Sequence, residues 1–106
     1  MGNKEYTLSY LPFFEQDLTQ VASYIANVLH NPEAALRLIG DVEEAIKERL
    51  GNAESFEPYP STTGRPHPYY RIYVRNYTVY YVVIDNVMEV RRLLYGGRKQ
   101  EENLLE

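Results

Sequence analysis

Apolar and polar positions alternate over residues 5–11, with Tyr6, Leu8 and Tyr10 on one side and Thr7 and Ser9 on the other. A period of two marks a strand. The period then lengthens. Phe14, Leu18, Val21, Ile25 and Leu29 follow at steps of three and four, one stripe of an amphipathic helix that Pro12 is suited to begin. Asn31-Pro32 interrupts it, Asn31 as a cap and Pro32 as the first residue of the next helix. Ala35, Leu38, Ile39, Val42, Ile46 and Leu50 make a second stripe, which Gly51 ends. Two stripes joined by so short a break predict an antiparallel helix hairpin. Residues 53–68 lose all periodicity and hold Pro58, Pro60, Pro66 and Pro68. A loop this long is either functional or a stiff surface connection.

From residue 69 the period returns to two. Residues 69–74, 77–84 and 87–95 are rich in Tyr, Val and Ile and read as strands, with Asp85-Asn86 as a two-residue hairpin turn and Arg75-Asn76 as the turn before it. The expected architecture is α+β: order β-α-α-β-β-β, with the helix hairpin on one face of a mostly antiparallel four-stranded sheet. Two-residue turns fix the register. They pair Tyr81 with Val90, Val79 with Arg92 and Thr78 with Leu93, and they pair Arg71 with Tyr80. Ile72, Val74, Val79, Tyr81, Val83, Met88, Val90 and Leu94 then share a core face, on which Arg92 is a misfit. Arg71, Tyr73, Thr78, Tyr80, Glu89, Arg91 and Tyr95 share the other face, expected to lie uncovered.

The chain has 106 residues, read as one domain over 1–106. It holds no cysteine, which excludes disulfides and thiolate metal sites. The two histidines are far apart in sequence and form no ligand cluster, so no metal or organic cofactor is expected. The start MGNKEYTLSY lacks the apolar run of a signal peptide, and no stretch is long enough to span a membrane, so a cytoplasmic protein is expected. The net charge of −4 argues against indiscriminate nucleic-acid binding. It conceals a polarity: residues 65–99 carry seven basic and two acidic residues, or +5, and the remainder carries −9. The acidic part reads as a solvated helix surface, or the basic part as a place for phosphate or carboxylate.

The segment YYRIYVRNYTVYYVVIDNVMEVRRLLYGGR over 69–98 resembles the C-terminal sheet of RelE/ParE-type toxins, and Asn31-Pro32-Glu33-Ala34-Ala35 resembles the helix break of the ParE-like branch. The resemblance implies the toxin of a type II toxin–antitoxin module, of the kind linked to plasmid stabilisation and growth arrest, held inactive by a cognate antitoxin. It implies one of two targets. The RelE and YoeB branches cut messenger RNA on the ribosome, and the ParE branch poisons DNA gyrase. Fold alone does not choose between them.

Metal-free RNA cleavage needs a base for the ribose 2′-hydroxyl, cations for the phosphorane and an acid for the leaving oxygen. Arg71 and Arg91 offer phosphate-binding forks on the expected open face, and Glu89 is a candidate base there. Tyr73 and Tyr80 are candidates for stacking on RNA bases, and His67 in the loop for an acid–base or RNA-binding role. His30, at a helix end, reads as structural. The resemblance adds Tyr95, which matches a catalytic tyrosine of the YoeB-like branch, and Arg98, which matches an arginine of the RelE glycine–lysine–arginine segment. It also shows departures. Thr78 stands where the family has an arginine, and Leu104 lies near the position of the terminal tyrosine of RelE. The sequence therefore points first to a metal-independent, ribosome-dependent mRNA endonuclease, with a ParE-like non-catalytic gyrase inhibitor or a degenerate antitoxin-binding protein as the alternatives.

Overall fold

The computed structural model describes residues 5–60 and 66–96. Strand β1 (Thr7–Tyr10) leads into α1 (Pro12–Ser23), a π-helical turn (Tyr24–Val28) and α2 (Pro32–Leu50). Strands β2 (Tyr70–Val74), β3 (Tyr77–Ile84) and β4 (Val87–Tyr95) follow. The sheet order is β1-β4-β3-β2: antiparallel throughout β2, β3 and β4, and parallel where β1 joins β4. This is the expected α+β architecture, with the hairpin of α1 and α2 on one face.

Local chemistry explains the boundaries. Pro12 opens α1 and Pro32 opens α2, where the missing N–H costs nothing. The Asn31 side chain accepts the Ala34 N–H at 3.1 Å, as a cap should. Asp85 and Asn86 both take positive φ, 51° and 66°, the mirror-image turn that matches strand twist. The end of α1 departs from the expected stripe. Leu29 N–H bonds to Tyr24 O at 3.1 Å, a π-type step that spends an extra residue on one turn. The extra residue rotates the chain, so Leu29 leaves the buried face and is exposed, while Ile25 still packs on the core. His30, at φ 55°, makes the left-handed stop before Asn31.

The main core lies between the helices and the sheet: Phe14 from α1, Leu38, Val42 and Ile46 from α2, and Ile72, Val74, Val79, Tyr81, Met88, Val90 and Leu93 from the strands. The register follows expectation from Val83–Met88 to Tyr81–Val90 and then slips at a β-bulge. Tyr80 pairs with Arg92, Val79 with Leu93, Thr78 with Leu94 and Tyr77 with Tyr95. Arg91 is the extra residue. Beyond it the two faces exchange, so Leu93 fills the main core and Leu94 turns to the far side, the reverse of the expected assignment.

The far face is not uncovered. Tyr69, Tyr80, Val82 and Leu94 form a second buried cluster, with Tyr59 and Ile84 packed against it. The proline-rich loop supplies the cover: Tyr59 N–H donates to Tyr69 O at 2.6 Å, and both rings meet the Tyr80 ring edge-on. No helix among the described residues is long and apolar enough to cross a membrane.

Candidate functional site

At the β2–β3 end of the sheet lies a shallow concavity of about 630 Å³, lined by Arg71, Tyr73, Arg75, Thr78, Tyr80 and Tyr95 among others. Alternation on β2 puts Arg71 and Tyr73 on the far face together, and pairing sets Arg71 beside Tyr80 and Tyr73 beside Thr78. The Arg71 guanidinium lies 4.9 Å from the centre of the Tyr59 ring and 5.8 Å from that of Tyr73. These are cation–π distances. Tyr73 is 68% exposed. Arg75 turns the corner at φ 57°, an unusual conformation for a residue with a Cβ. Its guanidinium donates through Nε, at 3.0 Å, and Nη2 to the Asp41 carboxylate, tying the turn to α2.

The other sequence candidates are distributed differently. Arg91 is engaged: Nε meets Glu89 Oε2 at 2.7 Å and Nη1 meets the Tyr69 hydroxyl at 3.3 Å. Burial works against the Arg91 cation, but its bonds to Tyr69 and Glu89 outweigh this and raise its pKa above the ordinary arginine value. Glu89 is thus a counter-ion in this arrangement. Tyr80, considered for base stacking, is 2% exposed, and its ring is enclosed by Tyr59 and Tyr69. The cause is the loop cover that the sequence pattern did not reveal. Thr78 is buried as well. Tyr95 is displaced by the bulge: it pairs with Tyr77, and the two rings meet edge-on at 5.3 Å. It remains 64% exposed at the rim of the concavity. His67 is exposed in the loop. Arg98 and Leu104 lie outside the described residues. The structure therefore gathers Arg71, Tyr73 and Tyr95 around one concavity, places Arg91 and Glu89 as a pair elsewhere on the sheet, and encloses Tyr80.

Two functional supports escaped the sequence. Arg92, the expected misfit, reaches α1: its Nε and Nη2 bind Asp17 at 2.8 and 2.9 Å, and the same carboxylate accepts the Leu93 N–H at 2.9 Å. Arg49, near the end of α2, donates to Arg71 O at 3.2 Å and to the Tyr81 hydroxyl at 2.9 Å, and stacks 3.5 Å from the Phe56 ring centre. Tyr81 in turn donates to Ala53 O at 2.7 Å. Arg49 thereby joins helix, loop and β2 directly beneath Arg71. A basic residue just before Gly51, with an aromatic residue soon after, was its only trace in the sequence. Among the described residues no three His, Asp or Glu side chains cluster as a metal would need.

The model of the ParE toxin of type II toxin–antitoxin systems, parDE, matches residues 8–100. The chain belongs to the ParE toxin family. The toxin also resembles solved structures in fold. A chromosomal ParDE system from P. aeruginosa superposes with a TM-score of 0.72 at 18% identity, over 88% of this chain and 98% of that one. An archaeal RelE–RelB complex from Pyrococcus horikoshii OT3 gives a TM-score of 0.54 at 19% identity, over 90% and 99%. No curated protein matches the toxin in sequence at a significant level.

Proposed function

We propose that this toxin works by binding and not by cutting: it is a non-catalytic inhibitor of DNA gyrase, acting in the cytoplasm and neutralised by a cognate antitoxin. The observation that carries the reading is the state of the groups RNA cleavage would need. Arg91 and Glu89 neutralise each other, Tyr80 is enclosed, and the buried Thr78 stands where a nuclease of the wider family has an arginine. A guanidinium already paired with a carboxylate offers a phosphorane less net charge and fewer free N–H groups. The antitoxin partner is supported by the fold neighbours, a ParDE system and a RelE–RelB complex. The second reading, a ribosome-dependent mRNA endonuclease, is favoured by one feature: Arg71 stands beside Tyr73 without a carboxylate partner among the described residues.

The test is to express the chain alone in a bacterium and, in parallel, to add purified toxin to a gyrase supercoiling assay. The expected result is blocked supercoiling and a DNA-damage response while translation at first continues. Transcript ends cut at ribosomal A-site codons, with supercoiling intact, would replace the first reading by the second. A chain that does neither is a degenerate copy.

A further inference from the structure

Four arginines stand on the described sheet and its turns, and three have a carboxylate partner: Arg75 has Asp41, Arg91 has Glu89 and Arg92 has Asp17. Arg71 is the exception. Among the described residues no carboxylate meets it, and its guanidinium is propped between the Tyr59 and Tyr73 rings. Its backbone is pinned as well, since Arg49 holds Arg71 O. An arginine held in one place without a counter-ion loses little freedom on binding an anion. The wall it occupies faces a concavity whose rim carries two tyrosines with accessible rings, Tyr73 and Tyr95, 68% and 64% exposed.

We propose that this concavity holds a short stretch of single-stranded nucleic acid, with a phosphate on the Arg71 fork and a neighbouring base on Tyr73. The fork matches phosphate geometry. An anion alone would account for Arg71, but an acidic peptide makes no use of two flat aromatic faces, whereas unpaired bases stack on them. A duplex hides its base faces. The acidic remainder of the chain also repels a long polyanion, so the site takes one or two phosphates and not an extended backbone. Arg75 at the rim is the second contact: it is held by Asp41, with both side chains about half exposed, and an incoming phosphate competes with that carboxylate. The inference deepens the non-catalytic reading, and rests on it only in that the strand is held and left intact.

The experiment is fluorescence anisotropy of the purified full chain with labelled six-nucleotide oligothymidylate and oligouridylate, a duplex of equal length and hexaglutamate, across a salt series. Single strands are expected to bind with a log–log salt slope of roughly −0.7 to −1.4, the value for one or two phosphates. Arg71→Gln is expected to weaken binding about tenfold and to flatten the slope. Tyr73→Ala, at an exposed position that the fold tolerates, should weaken it about tenfold with the slope unchanged. Asp41→Ala, which frees Arg75, should tighten binding and steepen the slope by about 0.7. Equal or tighter binding of duplex or hexaglutamate overturns the proposal, as does wild-type affinity in both Arg71→Gln and Tyr73→Ala, or no binding of either single strand up to about 1 mM, the range of non-specific contact and weaker. The two single strands separate the sources: oligothymidylate bound as well as oligouridylate fits a DNA strand. Bound oligouridylate that is then cut keeps the site and rejects the non-catalytic reading. Uninhibited gyrase with oligonucleotide binding intact rejects gyrase alone.

Discussion

Past Val90 the strand β4 has no strand partner on its β1 side among the described residues, and the Asp17 carboxylate serves there in place of a strand, accepting the Leu93 N–H and the Nε and Nη2 donors of Arg92. The arrangement satisfies a backbone donor and a cation with one side chain that is 13% exposed. Asp17→Ala leaves both without an acceptor and is expected to lower unfolding stability by about 2–4 kcal/mol, read from urea denaturation. Asp17→Asn should recover part of that loss, because its amide oxygen still accepts from Leu93. At this scale the sequence was legible only in part. Arg71 beside Tyr73 was readable from alternation, because the two sit two positions apart on one strand; Tyr59, which comes from the loop, was not. The fate of Tyr80 was not, because a tyrosine suits an open face and a buried one equally, and its cover comes from a loop without periodicity.

The elements themselves were readable almost to the residue, because each change of hydrophobic period coincides with a proline, an Asx turn or a glycine. Two local insertions escaped. The π turn adds a residue to α1, and the bulge at Arg91 adds one to β4. Each shifts the phase of the residues that follow it within its own element, and the bulge leaves no mark in the pattern: Arg91-Arg92 is polar in either register, and Leu93-Leu94 is apolar in either. Only the contacts to Asp17 and the loop decide. The loop is also an element in its own right, fastened by Arg49 through Phe56, Arg71 O and Tyr81. Arg49→Met keeps the volume and removes the fastening. Amides of residues 53–60 are then expected to exchange with solvent about tenfold faster, with those of β3 far less affected, as measured by hydrogen exchange. Equal acceleration in loop and strand would mean that Arg49 supports the whole fold and not the loop.

For the molecule as a whole, tyrosine is the dominant aromatic, 11 in all, and several lie where ionisation is disfavoured. Burial first pushes the pKa of Tyr10, Tyr70 and Tyr77 above the ordinary 10.0; nearby glutamates add to it for Tyr10 and Tyr70, and Tyr95 and Tyr24 add to it for Tyr77. For Tyr81 burial also wins, against the lowering effect of Arg49. The folded chain therefore keeps protons that the unfolded chain gives up near pH 10. Their contribution to stability is complete below that pH and is lost as pH rises through the higher folded values. The urea midpoint should be flat between pH 8 and about pH 9.5 and fall beyond it, with the tyrosinate absorbance of the buried rings appearing only together with loss of structure. Ionisation of all 11 tyrosines well before unfolding would contradict the buried placement. The parallel seam between β1 and β4 has a consequence for how such a chain comes into being. Thr7 has no sheet partner until Val87 exists, so β1 waits until β2 and β3 have been made before it can dock. A nascent chain interrupted anywhere before β4 lacks the strand that joins β1 to the rest of the sheet, so a toxin built this way cannot close its sheet ahead of β4.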